Sequence, residues 1–340
     1  MYARVDAVHF LLEHGAHVNA REKNLQTPLH VAASVGCPQV VWILLDHRAD
    51  VNLRDHHGQL PLHLVSTSTT FEGKIVEDKR YIVAQLLLQH CADVDAQNMC
   101  GETPLHSASY DGRLEISWLL LDYGANPHTE DEEGRSPLHH LLLGVSGVLS
   151  GVHLQDSLSV AQLLLEHGAD INALDKHHAT PLHLISRSYE GSFAQFLLDH
   201  GAKVNAENAQ GQTPLHIVSQ GSADSADVAQ RLLELGADVN VQDNSQESPL
   251  HFACTYGNFN TALLLLDHGA EINAQDAHGQ TPLHCISEGF MAYNEFNGTS
   301  IAQLLLECGA DVNAQNNQLP DDPIAFGISH FKVADCMGVA

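Results

Sequence analysis

The sequence predicts an all-α solenoid of about eight helix–turn–helix repeats with hairpin-like loops, plus partial repeats at the ends. Two observations predict it. A T-P-L-H tetrapeptide or close variant recurs eight times, with its prolines at Pro28, Pro61, Pro104, Pro137, Pro181, Pro214, Pro249 and Pro282. Each copy is followed by a second element of the type L-L-L-D-H-G-A-D-V-N-A, as at Leu164–Ala173 and Leu264–Ala274. Self-similarity at this spacing marks stacked units that bury a face only against their neighbours. The composition agrees. At 44% hydrophobic but 6% aromatic residues, a core must be built from Leu, Ala, Val and Ile.

The repeat accounts for its own residues. Thr27 is a good N-cap and Pro28 suits the first helical position, where no amide proton is needed. Leu29, Ala32 and Ala33 then share one side of a short first helix. In the repeat beginning at Thr103, Gly112 breaks that helix, and Leu114, Ile116, Leu119 and Leu120 supply the apolar face of a second. Gly124 follows where a left-handed backbone is needed. The D-V-N-A type segment leads to a D-x-x-G turn.

This pattern resembles the ankyrin-repeat family over about Val5 to Ala314. The resemblance implies L-shaped units stacked into a solenoid, with hairpin tips and first helices on a concave face that binds other proteins. Arg48 and Cys91 replace the glycine after the second helix, and Leu25, His178 and Gln246 replace the hairpin glycine. A non-glycine residue after the second helix is expected to cost on the order of 1 kcal/mol, and the five departures imply local strain or altered tips.

The proline spacings run 33, 43, 33, 44, 33, 35 and 33 residues, so long and short repeats alternate. The extra residues fall between the two helices, at Thr67–Lys79, Gly144–Ser157, Gln220–Asp224 and Glu288–Gly298. Three inserts carry apolar side chains, among them Phe71, Val148, Leu149, Phe290 and Tyr293. Either they lengthen helices and cover the solenoid edge, or they form a row of contact loops. The pairing also resembles arrays of fungal ankyrin-repeat proteins, some of them NLR-like receptors. An alternative role is therefore the ligand-recognition array of a larger receptor whose nucleotide-binding domain lies outside this chain. The expected organisation is one array over 1–340: a partial repeat at 1–21, eight repeats over 22–314, and a degenerate cap and tail at 315–340.

Charge bounds the partners. With 42 Asp and Glu against 15 Lys and Arg, the formal charge is −27. Nucleic acid and anionic membrane are repelled on average, and a protein with a basic surface is favoured. The seven cysteines, odd in number and without a C-x-x-C pair, suit reduced thiols in the cytoplasm or nucleus.

The 25 histidines invite a metal. Eight belong to the tetrapeptide and are expected to bond between repeats. Six more (His14, His47, His90, His167, His200, His268) stand at second-helix ends, where the dipole favours them. Pairs such as His139-His140 lack an H-E-x-x-H frame, and Gly144-Val145-Ser146-Gly147 is one residue short of a nucleophile elbow. The expectation is a non-catalytic scaffold or adaptor without metal or cofactor.

Two features nominate a binding surface. The run Glu130-Asp131-Glu132-Glu133 falls on one hairpin tip and would attract a basic segment. Tyr110, Asp111, Arg187, Tyr189 and Tyr256 fall near first-helix ends, and Tyr and Arg are common interface anchors. Trp42 and Trp118 lie in second helices and are expected in the core.

Overall fold

Every first helix begins at its motif proline, because Pro at the first position costs no hydrogen bond and presets the helical φ. The computed structural model describes residues 2–67, 79–146, 154–186, 191–221, 226–289 and 295–317. Among them are seventeen helices and no strand. They fall into two compact units, 1–176 and 177–340. The first unit opens with a second-type helix, α1 (Tyr2–Glu13). Helix pairs follow: α2 (Pro28–Val35) with α3 (Pro38–Asp46), α4 (Pro61–Ser66) with α5 (Arg80–Gln89), α6 (Pro104–Tyr110) with α7 (Leu114–Asp122), and α8 (Pro137–Ser146) with α9 (Leu154–Glu166). The second unit pairs α10 (Pro181–Ser186) with α11 (Gly191–Asp199), α12 (Pro214–Ser219) with α13 (Ala226–Glu234), α14 (Pro249–Thr255) with α15 (Phe259–Asp267), and α16 (Pro282–Gly289) with α17 (Glu295–Glu307).

Within each unit, first helices pack on first helices and second on second: α2, α4, α6, α8 and α3, α5, α7, α9; then α10, α12, α14, α16 and α11, α13, α15, α17. The core between the two rows is aliphatic. Leu29, Leu62, Leu105 and Leu138 of the motif are fully buried, as are Leu182, Leu215 and Leu250 in the second unit. Ala32, Ala33 and the second-helix pair Leu119 and Leu120 are buried as expected.

The motif histidine joins neighbouring repeats. The Thr27 amide donates to His30 Nδ1 at 3.1 Å, and His30 Nε2–H donates to the Gln59 carbonyl of the next repeat at 3.1 Å. His63, His106, His183, His216 and His251 reach Glu102, Arg135, Gln212, Glu247 and Gln280 in the same way, at 3.0–3.2 Å. An acceptor Nδ1 and a donor Nε2 define a neutral ring. Burial holds His30, His63, His106, His216 and His251 below the usual imidazole value, with His63 and His106 near 4.

The histidines at second-helix ends use the opposite tautomer. His47 Nδ1–H donates to the Ile43 carbonyl at 2.9 Å, and His14, His90, His167, His200 and His268 each cap the carbonyl four residues back. Each ring thus adds a second bond to a carbonyl that the amide of the same histidine already reaches, beyond the dipole effect expected from sequence.

Leu25, Arg48, Cys91, His178 and Gln246 all adopt positive φ, between 56° and 64°. The repeat geometry imposes the left-handed turn even where glycine is missing.

One expectation changes. Trp42 and Trp118 are not core residues; they are 56% and 46% exposed. The reason lies in register, since Val41, Ile43, Leu44 and Leu45 of α3, and Ile116, Leu119, Leu120 and Leu121 of α7, already occupy the buried faces. The same register is Gln85, Gln162, Gln195, Gln230 and Gln303 in five other second helices, with exposed His9 in α1 and Leu263 in α15, so it marks the solvent side. Of the insert at 144–157, residues 144–146 extend α8 and 154–157 begin α9, so its described part lengthens helices. No described helix is long and apolar enough to cross a membrane.

Candidate functional site

The acidic tip is built on an Asx turn. Asp131 Oδ1 accepts the Glu133 and Arg135 amides, both at 2.8 Å, and the Gly134 amide donates to the Asp131 carbonyl at 3.0 Å. Asp55, Asn98, Asp243 and Asp276 build other tips alike. Neighbouring tips hold this one on both sides: the Glu132 amide donates to Cys100 at 2.8 Å, and the Lys176 amide to Glu133 at 2.9 Å. Gly134 is required here, with φ of 73° and the Lys176 amide nitrogen 2.9 Å from where a Cβ would stand.

Asp131 therefore differs from its acidic neighbours. Its second oxygen accepts from His140 Nε2 at 2.8 Å, and both side chains are below 10% exposed. Burial opposes the charge on Asp131, but the bonds from His140, Arg135 and Glu133 outweigh it and hold the carboxyl below its usual value. The carboxylate is committed inward and cannot serve as a surface attractor. Glu130, Glu132 and Glu133 are exposed, so three carboxylates stand on a backbone fixed from within and from both sides.

His140 also connects the tip to the end of a first helix. Its ring packs edge-on to His106 at 4.8 Å and to Tyr110 at 6.5 Å. Tyr110 ends α6 and is 37% exposed. Tyr110 and the acidic tip thus belong to one cluster, joined through His140. The structure assigns His140 a role that sequence reading missed. The signal was present: this column otherwise holds Val31, Leu64, Ser107, Leu184, Ile217, Phe252 and Cys285, and one imidazole among them asks for a partner.

Asp111 follows Tyr110 as the cap of α6, and its carboxylate supports the buried guanidinium of Arg80. Burial pushes the Arg80 pKa down and Asp111 opposes this. Arg80 also donates to the Ser34 carbonyl at the end of α2, at 3.2 Å. This cation ties α5 to the first helices of its neighbours, so Asp111 has a structural task. Tyr256 is 37% exposed in the second unit. It stands one position later than Tyr110 in the repeat, as the cap of α14 and not its last residue. Arg187, Tyr189, Phe71, Val148, Leu149, Phe290 and Tyr293 lie outside the described residues.

Among the described residues, no group of three His, Cys, Asp or Glu side chains is arranged to hold a metal ion. Cys37, Cys91, Cys100, Cys254, Cys285 and Cys308 are free thiols. What the tip offers is charge on a rigid mount beside a half-exposed phenol. That arrangement can bind a cationic side chain.

A family model described as ankyrin repeats in three copies matches residues 74–146, 151–243 and 218–316. A second, described as ankyrin repeats in many copies, matches residues 11–65. Comparison with curated proteins gave no match.

Proposed function

The chain belongs to the ankyrin-repeat family, and from that premise we propose that it is a non-catalytic protein-interaction module that reads a basic segment of its partner. The observation that carries this is the trio Glu130, Glu132 and Glu133, exposed on a tip whose backbone is locked by Asp131 and its two neighbours. A rigid mount loses little entropy on binding, and Tyr110 adds apolar area beside the charges. The chain's overall charge of −27 draws a cationic partner toward the same site. The free thiols fit a reducing compartment, the cytoplasm or nucleus.

Titration calorimetry of the full chain with a 12-residue Lys/Arg-rich peptide tests this reading. Exposed pairs contribute about 0.5 kcal/mol each, so replacing Glu130, Glu132 and Glu133 together by Gln should weaken binding about tenfold. Affinity of the parent should also fall as salt rises. A triple variant that binds as tightly as the parent would remove the tip from the interface.

A further inference from the structure

Trp42 and Trp118 occupy one register of α3 and α7, the second helices that flank α5. Their indoles stand in solvent, and Ile82 of α5, 45% exposed, belongs to the helix between them. Five of the other second helices carry glutamine in this register, α1 carries His9 and α15 the smaller Leu263, so two large indoles stand out on this face.

Those glutamines have a local task. Gln162, Gln195, Gln230 and Gln303 each donate to the carboxylate four residues on, Glu166, Asp199, Glu234 and Glu307, at 2.6–3.0 Å. Tryptophan cannot repeat that bond with a terminal amide. Asp46 and Asp122, four residues beyond the two indoles, accordingly have no hydrogen-bond or ion-pair partner among the described residues. Each indole is therefore followed one turn on by a carboxylate that has no partner among the described residues.

We propose that this outward face of α3, α5 and α7 docks a basic amphipathic helix of a partner protein. The proposal rests on the reading of the chain as a protein-interaction module, but it uses a different surface from the acidic tip. Charge complementarity selects the occupant. A Lys or Arg side chain laid over an indole gains a cation–π contact and meets the free carboxylate one turn away. Apolar residues on the same partner face cover Ile82 and the indole edges. Length agrees as well. Neighbouring helices pack about 8–10 Å apart, which puts the two indoles about 20 Å apart, and an α-helix of about four turns spans that distance.

Trp42 and Trp118 are the chain's two tryptophans, so intrinsic fluorescence reports this face alone. The probe is an 18-residue amphipathic Lys/Leu peptide without tryptophan, titrated into the full chain, with a Glu/Leu peptide as its counterpart. The Lys peptide should shift the emission to the blue, saturably and less strongly at high salt, and the Glu peptide should not. Trp42→Gln and Trp118→Gln insert the residue that five other second helices use in this register, and each should weaken binding about tenfold. The double variant, followed by anisotropy of a labelled peptide, should lose it. No emission shift, or a double variant that binds like the parent, overturns the proposal. So does a shift produced by phosphatidylcholine vesicles and not by the peptide, which would make the face a lipid surface. Replacing Glu130, Glu132 and Glu133 by Gln should leave the shift intact. If that variant abolishes binding while the double tryptophan variant retains it, the tip reading stands and this one falls.

Discussion

Arg48 and Cys91 show how far the repeat overrides the individual residue. Both stand where other repeats place glycine after the second helix, and both take a left-handed backbone with φ of 62° and 64°. An L side chain there crowds its own carbonyl, whereas glycine does not. Arg48→Gly and Cys91→Gly should each stabilise the protein by up to about 1 kcal/mol, read as a higher midpoint in urea. An unchanged midpoint would mean that the side chain recovers the strain through contacts. Substituting Gly134 in the reverse sense should be costly, because a Cβ would meet the Lys176 backbone as well as a disfavoured φ.

At the scale of the helix, stability resides in the aliphatic seam between rows. Leu119 and Leu120 of α7 are 2% and 0% exposed, and α7 packs against α5 and α9 as well as its own α6. Leu119→Ala or Leu120→Ala should each cost about 2–5 kcal/mol, measured by chemical denaturation. In a stacked array that loss falls on the unit and on its interfaces with its neighbours. The α6–α8 contact is tighter still. A Cβ on Gly144 would stand 1.9 Å from the Tyr110 carbonyl oxygen, so the two helix backbones touch where this glycine lies. Gly144→Ala should force them apart, cost about 1–3 kcal/mol or more, and shift Tyr110 at the candidate site. The repeat spacing puts Gly144 at the start of an insert, yet it lies within α8 against the Tyr110 backbone. A variant with parental stability and peptide affinity would refute that role.

For the whole molecule, the motif histidines set the response to acid. Five of them titrate below their unfolded value, three in the first compact unit and two in the second. Their folded pKa values are depressed, so their contribution is complete above pH of about 6.5 and is lost as pH falls toward about 4. The unfolded chain binds more protons across that window, and stability must rise with pH there. For His63 and His106 each shift corresponds to about 3 kcal/mol. Melting temperature should therefore drop steeply between pH 6.5 and 4, and His63→Gln should flatten the profile while lowering stability at neutral pH. A flat profile in the parent would show that the rings are protonated in the folded state.

The repeat, its helix starts at the motif prolines, its buried leucines and its five strained positions were all legible in the amino-acid sequence. Each depends on residues within a few positions, repeated at a fixed interval, so local chemistry and periodicity suffice to place them. The acidic run was legible as a run, but its division was not. Asp131 turns inward because His140, nine residues on, and two backbone amides meet it there, whereas Glu130, Glu132 and Glu133 find no such enclosure. Arg80 reaches Ser34 across 46 residues, and no local pattern announces that contact. The two tryptophans lay between these cases: the glutamine column marked their side of the helix, but hydrophobicity argued the other way. Only the tertiary structure decided, because the inner face was already filled by Ile and Leu and left the indoles no room.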